Sequence, residues 1–177
     1  FDGEFYDARE PMGYEVSETL STPEVNTEFA GEIFPSAGAE IYLRPDLTFS
    51  PVEAYVWEGV ENASDEAYGK IIIKRRYAPG KAMELLPGET LVVDFGQNAA
   101  AVPAFEFKAE EGTVLTCLPA ELLNDGNGAK SRGMDGPEGS CHRLNLRTPD
   151  DGMILEYTFG DADGYVSYSP RSTFYGY

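Results

Sequence analysis

Hydrophobic and polar positions alternate along this chain in short runs, and turn residues punctuate them. Phe105 and Phe107 fall on one face of a two-residue period, with Glu106 and Lys108 on the other, which predicts a strand over 104–108. The same logic predicts strands at 4–8, 41–43, 52–57, 70–76, 90–95, 113–118, 154–159, 165–168 and 173–177, where β-branched and aromatic residues cluster between Gly, Pro and Asx turns. Lys70 to Arg76 carries bases on both sides of an Ile triplet, a strand whose long side chains snorkel toward nearby carboxylates. No stretch holds helical periodicity beyond a turn or two, and the best is 119–124. Residues 14–40 are rich in Ser, Thr, Glu, Pro and Gly and predict a long meandering connection. The expected fold is therefore all-β: an antiparallel β-sandwich with jelly-roll-like winding. It comprises an extended, loop-rich N-terminal segment over 1–40 and a sandwich domain over 41–177.

Composition narrows the function. At 177 residues, 42% of them hydrophobic, the chain can bury a real core. Its formal charge of -18, from 31 acids against 13 bases, argues against nucleic acid, whose phosphates demand clustered Lys and Arg. It also disfavours an anionic membrane surface, and no apolar run approaches the length that spans a bilayer. Acidity suits an extracytoplasmic protein kept soluble by self-repulsion.

Candidate chemistry is sparse. The bend Asp94-Phe95-Gly96-Gln97-Asn98 gathers three short polar side chains after a strand. They read as satisfying backbone groups where a strand turns a corner, or, in the sharper reading, as ligands for a sugar. Trp57, the single Trp, is a core residue or a sugar-stacking platform. Asp125 and Asn127, and Asp161 and Asp163, lie in Gly-containing loops. They read as turns, with a Ca²⁺ site as the alternative, although neither completes an EF-hand spacing. No other cofactor is implied. Cys117 and Cys141 stand 24 positions apart; they read as two buried thiols or as a disulfide worth about 3 kcal/mol. The only His, His142, follows Cys141; it reads as a surface or turn residue with no role in a hydrolytic triad.

Asp94-Phe-Gly-Gln-Asn resembles the signature in the β-sandwich region of bacterial α-L-rhamnosidases, and other stretches extend the match in order. Gly112-Thr-Val-Leu-Thr leads to Ala120-Glu-Leu-Leu-Asn-Asp-Gly, and Pro170-Arg-Ser-Thr-Phe-Tyr-Gly-Tyr is similar to a later family motif. Asp2-Gly-Glu-Phe-Tyr-Asp-Ala-Arg adds a weaker match at the start. The chain departs from the family pattern after Asn98, where Ala and Val replace Gly and an aromatic, and at Leu118, where a base is frequent. The resemblance implies a non-catalytic sandwich segment of a periplasmic or secreted glycoside hydrolase, with no catalytic residue of its own. Its implied partner is the (α/α) catalytic barrel of the same parent polypeptide, beyond Tyr177, and both ends read as cuts. Carbohydrate is the expected ligand class, and a carbohydrate-binding module with its own sugar site, with or without Ca²⁺, is the alternative.

Overall fold

A computed structural model describes residues 3–10, 27–28, 30–35, 38, 42–127, 134–146 and 152–171 of the chain. The chain divides into two compact units, residues 11–48 and residues 1–10 with 49–177. Within the described part of the smaller unit, Pro45–Leu47 forms a 3-10 turn with an Arg44–Asp46 ion pair beside it. Pro45 starts that turn because its fixed φ suits the first helical position. The strand expected at 41–43 is absent at Tyr42 and Leu43, since the following Pro and Asp favour a turn over a ladder.

The larger unit is all β. Its strands are β1 (Gly3–Asp7), β2 (Glu53–Glu61), β3 (Lys70–Tyr77), β4 (Thr90–Asp94), β5 (Phe105–Phe107), β6 (Val114–Cys117), β7 (Leu122–Leu123), β8 (Cys141–His142), β9 (Ile154–Thr158) and β10 (Val166–Tyr168). The short helical pattern at 119–124 yields to β7, because Leu122 and Leu123 pair with His142 and Cys141. The strand expected at 173–177, and most of the 14–40 connection, lie outside the described residues. Among these strands pairing is antiparallel except that β1 runs parallel to β9, with Gly3 opposite Ile154 and Asp7 opposite Thr158; an isolated parallel bridge also joins Lys70 to Glu138.

Two clusters form the interior. β2 lies between β3 and β4, and Ala54, Tyr55 and Val56 in succession are buried, so both faces of this strand are covered. On one face Tyr55, Ile71 and Val92 pack with Trp57, Ile73, Leu123 and Cys141, which brings the β7–β8 hairpin onto the sheet. Nearby, Arg75 of β3 grips Glu89 through both guanidinium nitrogens and donates to the Glu84 carbonyl at 3.1 Å. This grip ties residues 84–89 to β3, and the Arg75 hydrogen bonds, with that of the Leu86 amide, hold the Glu89 carboxyl down at about 2. The second cluster is aromatic. Tyr6 stacks on Tyr157 at 5.2 Å, and Phe107 meets Tyr157 at 4.6 Å and Phe159 at 4.8 Å. The period-two pattern of Phe105 and Phe107 is thus realised: both rings, 5.7 Å apart, face the same ring cluster as Tyr168.

Candidate functional site

At the signature bend, Asp94 ends β4 and its Oδ1 accepts the Gly96 amide at 2.7 Å, while its backbone carbonyl accepts the Val52 amide at 2.8 Å. Gly96 has φ 71°, and a Cβ there would come 2.9 Å from a Val52 methyl. Glycine is required here on both counts. Phe95 meets Phe49 edge-on at 5.6 Å, and Gln97 and Asn98 are exposed. The carboxylate of Asp94 is therefore spent on the turn, and the two amides reach solvent.

Trp57 is placed elsewhere. It pairs with Thr90 at one end of the β2–β4 ladder, whereas Asp94 pairs with Glu53 at the other, roughly 13 Å along the strand. Its ring packs on the Tyr55–Ile71–Val92 cluster, and its buried Nε1 has no hydrogen-bond partner among the described residues. The four residues Trp57, Asp94, Gln97 and Asn98 do not converge on one surface.

The Asp125 loop is a turn in its hydrogen bonding. The Asn127 amide donates to Asp125 Oδ1 at 3.1 Å, and its side-chain Nδ2 donates to Oδ2. Asp161 and Asp163 are exposed. Among the described residues no three His, Cys, Asp or Glu side chains gather to hold a metal. Cys117 and Cys141 are free thiols. Burial pushes the Cys117 thiol up to about 11, negative charge on Cys141 adds to this and Arg143 opposes it; burial raises Cys141 as well.

Sequence reasoning missed a buried polar cluster at the β7–β8 hairpin. His142, expected at the surface, is 2% exposed, as is Asn124. The pairing of Leu122 with His142 and the Asn124 amide on the Ser140 carbonyl bring these residues inside. Asn124 Nδ2 donates to Asp135 Oδ1 at 2.9 Å and Ser140 Oγ at 3.0 Å, and the Arg143 and Leu144 amides donate to Asp135 Oδ2 at 2.7 and 2.9 Å. Burial alone would raise the Asp135 carboxyl, but these donors outweigh it and hold the group at about 2. Ser140 Oγ donates to the Pro137 carbonyl at 2.7 Å, so the Ser and the His are not set as nucleophile and base. No spacing in the sequence marks this cluster, because its members meet only once the hairpin closes.

One further feature has the shape of a binding site. Tyr157, Phe159 and Val166 line a cleft of about 180 Å³ whose other walls include Lys108, Asp161 and Gly164. Lys108 Nζ sits over the Tyr165 ring at 5.1 Å. Of the candidate site residues read from sequence, Asp161 alone lines this cleft.

Taken together, the closed aromatic cluster, the buried β2 and the turn-forming signature bend are those of a β-sandwich domain. Residues 84–177 match the family model described as bacterial alpha-L-rhamnosidase concanavalin-like domain, and the chain belongs to that family. The matched span runs from the start of the Glu84–Glu89 tie through β4 to β10. No curated protein and no solved structure matches the sequence. Among the described residues no helix is long and apolar enough to cross a membrane.

Proposed function

We propose that this chain is the non-catalytic sandwich of a rhamnosidase-like glycoside hydrolase, bracing a catalytic (α/α) barrel in the same polypeptide and contributing to recognition of its carbohydrate. The family match over 84–177 carries this reading. It is supported by chemistry: the one His is occupied inside the hairpin next to a carboxylate that stays ionised down to about pH 2, which is a poor general acid near neutrality. An extracytoplasmic place, periplasmic or secreted, follows from a glycan substrate and from the charge of -18.

The test compares the intact polypeptide with a version lacking residues 84–177. Bracing predicts a lower thermal midpoint and a loss of kcat/KM on an aryl α-L-rhamnoside in the shortened enzyme, with this chain alone inactive. An unchanged midpoint and unchanged kinetics would overturn the brace, and turnover by this chain alone would overturn its non-catalytic standing.

A further inference from the structure

Six basic side chains are committed to carboxylates, whereas Lys81, Arg143 and Lys108 make no ion pair among the described residues. Arg9, Arg44, Lys70, Lys74, Arg75 and Arg76 each pair with a carboxylate. Lys108 does not: among the described residues its ammonium rests only on the Tyr165 ring. Asp161 lines the same cleft and makes no ion pair among the described residues either. A cation and an anion that share one small cleft without neutralising each other present a donor and an acceptor to whatever enters. Beneath them the floor is apolar, because Tyr157 and Phe159 are 7% and 5% exposed and Val166 stands beside them. Gly164 faces open space at the mouth, where a Cβ would meet nothing within 4 Å.

We propose that this cleft binds a single deoxyhexose ring, with hydroxyls on Lys108 and Asp161 and the ring's methyl group against the floor. The proposal rests on the carbohydrate-recognition part of the function given above. Size supports one ring: 180 Å³ is well below the roughly 300–1,000 Å³ of sites for larger ligands. The apolar floor supports a methyl over a hydroxymethyl group, because a hydroxyl pressed onto aromatic carbon would lose its water without gaining a partner. Tyr165, 57% exposed beside the mouth, adds an aromatic surface of the kind that sugar C–H groups favour.

The test is an NMR titration of the nitrogen-15-labelled chain with L-rhamnose, with L-mannose, which differs by one hydroxyl at C6, and with glycine. The expected Kd for rhamnose is about millimolar, the range of a small, open site. Saturable shifts should centre on the amides of Lys108 and 160–166, and L-mannose should bind at least tenfold more weakly. Asp161→Ala and Ala162→Leu, both on exposed loop positions, should each weaken rhamnose at least tenfold without moving the unfolding midpoint. Binding of rhamnose that survives both variants would overturn the cleft while leaving carbohydrate recognition intact. Equal response to both sugars would overturn the role of the floor, and preferential response to glycine would replace the sugar by a zwitterion. No shifts in a folded sample would remove both the cleft and the recognition part of the function, and leave the brace standing.

Discussion

His142 Nδ1 lies 3.1 Å from Asp135 Oδ1, with the imidazole 2% exposed. The ring is turned enough that Nδ1 makes no well-aligned hydrogen bond, so the pair is a close electrostatic contact and the alignment belongs to Asn124 and the two backbone amides. Asp135 is thus the hub of the hairpin: its two oxygens serve four neighbours at once.

Removing that hub should be costly. Asp135→Ala leaves the Asn124 amide and two backbone N–H groups without their acceptor, a loss of about 3 kcal/mol, or roughly 6–12 °C in thermal midpoint. The pH dependence has a fixed sign. The folded carboxyl is held at about 2 against an ordinary 3.8, so its contribution is fully present above about pH 4 and is lost as pH falls toward 2. Urea titrations of wild type and Asp135→Asn across that window should show a steeper acid loss in wild type. Parallel curves would remove Asp135 from this role.

At the alkaline end the sign reverses. Burial first, then the charges of Cys141 and Asp94, push the Tyr55 hydroxyl up to about 12 from 10.0, and it donates to the Gly139 carbonyl at 2.6 Å. Its stabilisation is present below pH 10 and disappears as pH rises through 12; that of Cys117 disappears between about 9 and 11. Tyr55→Phe should cost about 1 kcal/mol at neutral pH and flatten the upper part of the alkaline limb, leaving the Cys117 part. Denaturation followed from pH 7 upward in both proteins decides it.

Sequence made the ladder legible and left the interior of the hairpin dark. Period-two runs such as Phe105–Phe107 and β-branched runs such as Ile71–Ile73 announce strands because the pattern is local, and the structure places strands there. Asp94-Phe-Gly was legible as a bend for the same reason, Gly96 being needed within two residues of its cap. Asn124, Asp135 and His142 were not, because 18 positions separate the first from the last in the sequence and hairpin closure alone joins them. β2 shows a third case: its buried run Ala54-Tyr55-Val56 reads as a strand from composition, but which neighbours cover its two faces is set by non-local packing. The cleft was legible only at Asp161, since its floor comes from aromatic residues whose spacing signals strand and core.

The signature bend carries two separable requirements. Gly96→Ala must hold a side chain at φ 71° and place its Cβ 2.9 Å from the Val52 Cγ2 atom, a combined cost of about 2 kcal/mol. Val52→Ala at an exposed position (56%) should cost about 0.5 kcal/mol or less alone. In the double variant the contact is relieved and the backbone penalty remains, so the coupling should be favourable by about 0.5–1 kcal/mol. Zero coupling would assign the whole requirement to the backbone.

Trp57 should report on folding and stay silent on ligand. Being the single Trp, packed on the Tyr55–Ile71–Val92 cluster with its Nε1 buried, it should emit as a shielded indole, resist acrylamide quenching and shift to the red in one cooperative transition with urea. Because it belongs to the β2–β3–β4 sheet, whereas the Lys108–Asp161 cleft is lined from β9, β10 and the residues that follow β1 and β5, saturating L-rhamnose should leave its emission unchanged. Trp57→Phe should cost about 1–3 kcal/mol through lost packing volume with the rhamnose-induced shifts retained. If rhamnose instead quenched Trp57, or if Trp57→Phe abolished the shifts in a folded protein, the sugar surface would move to the β2 sheet and the indole would become its platform.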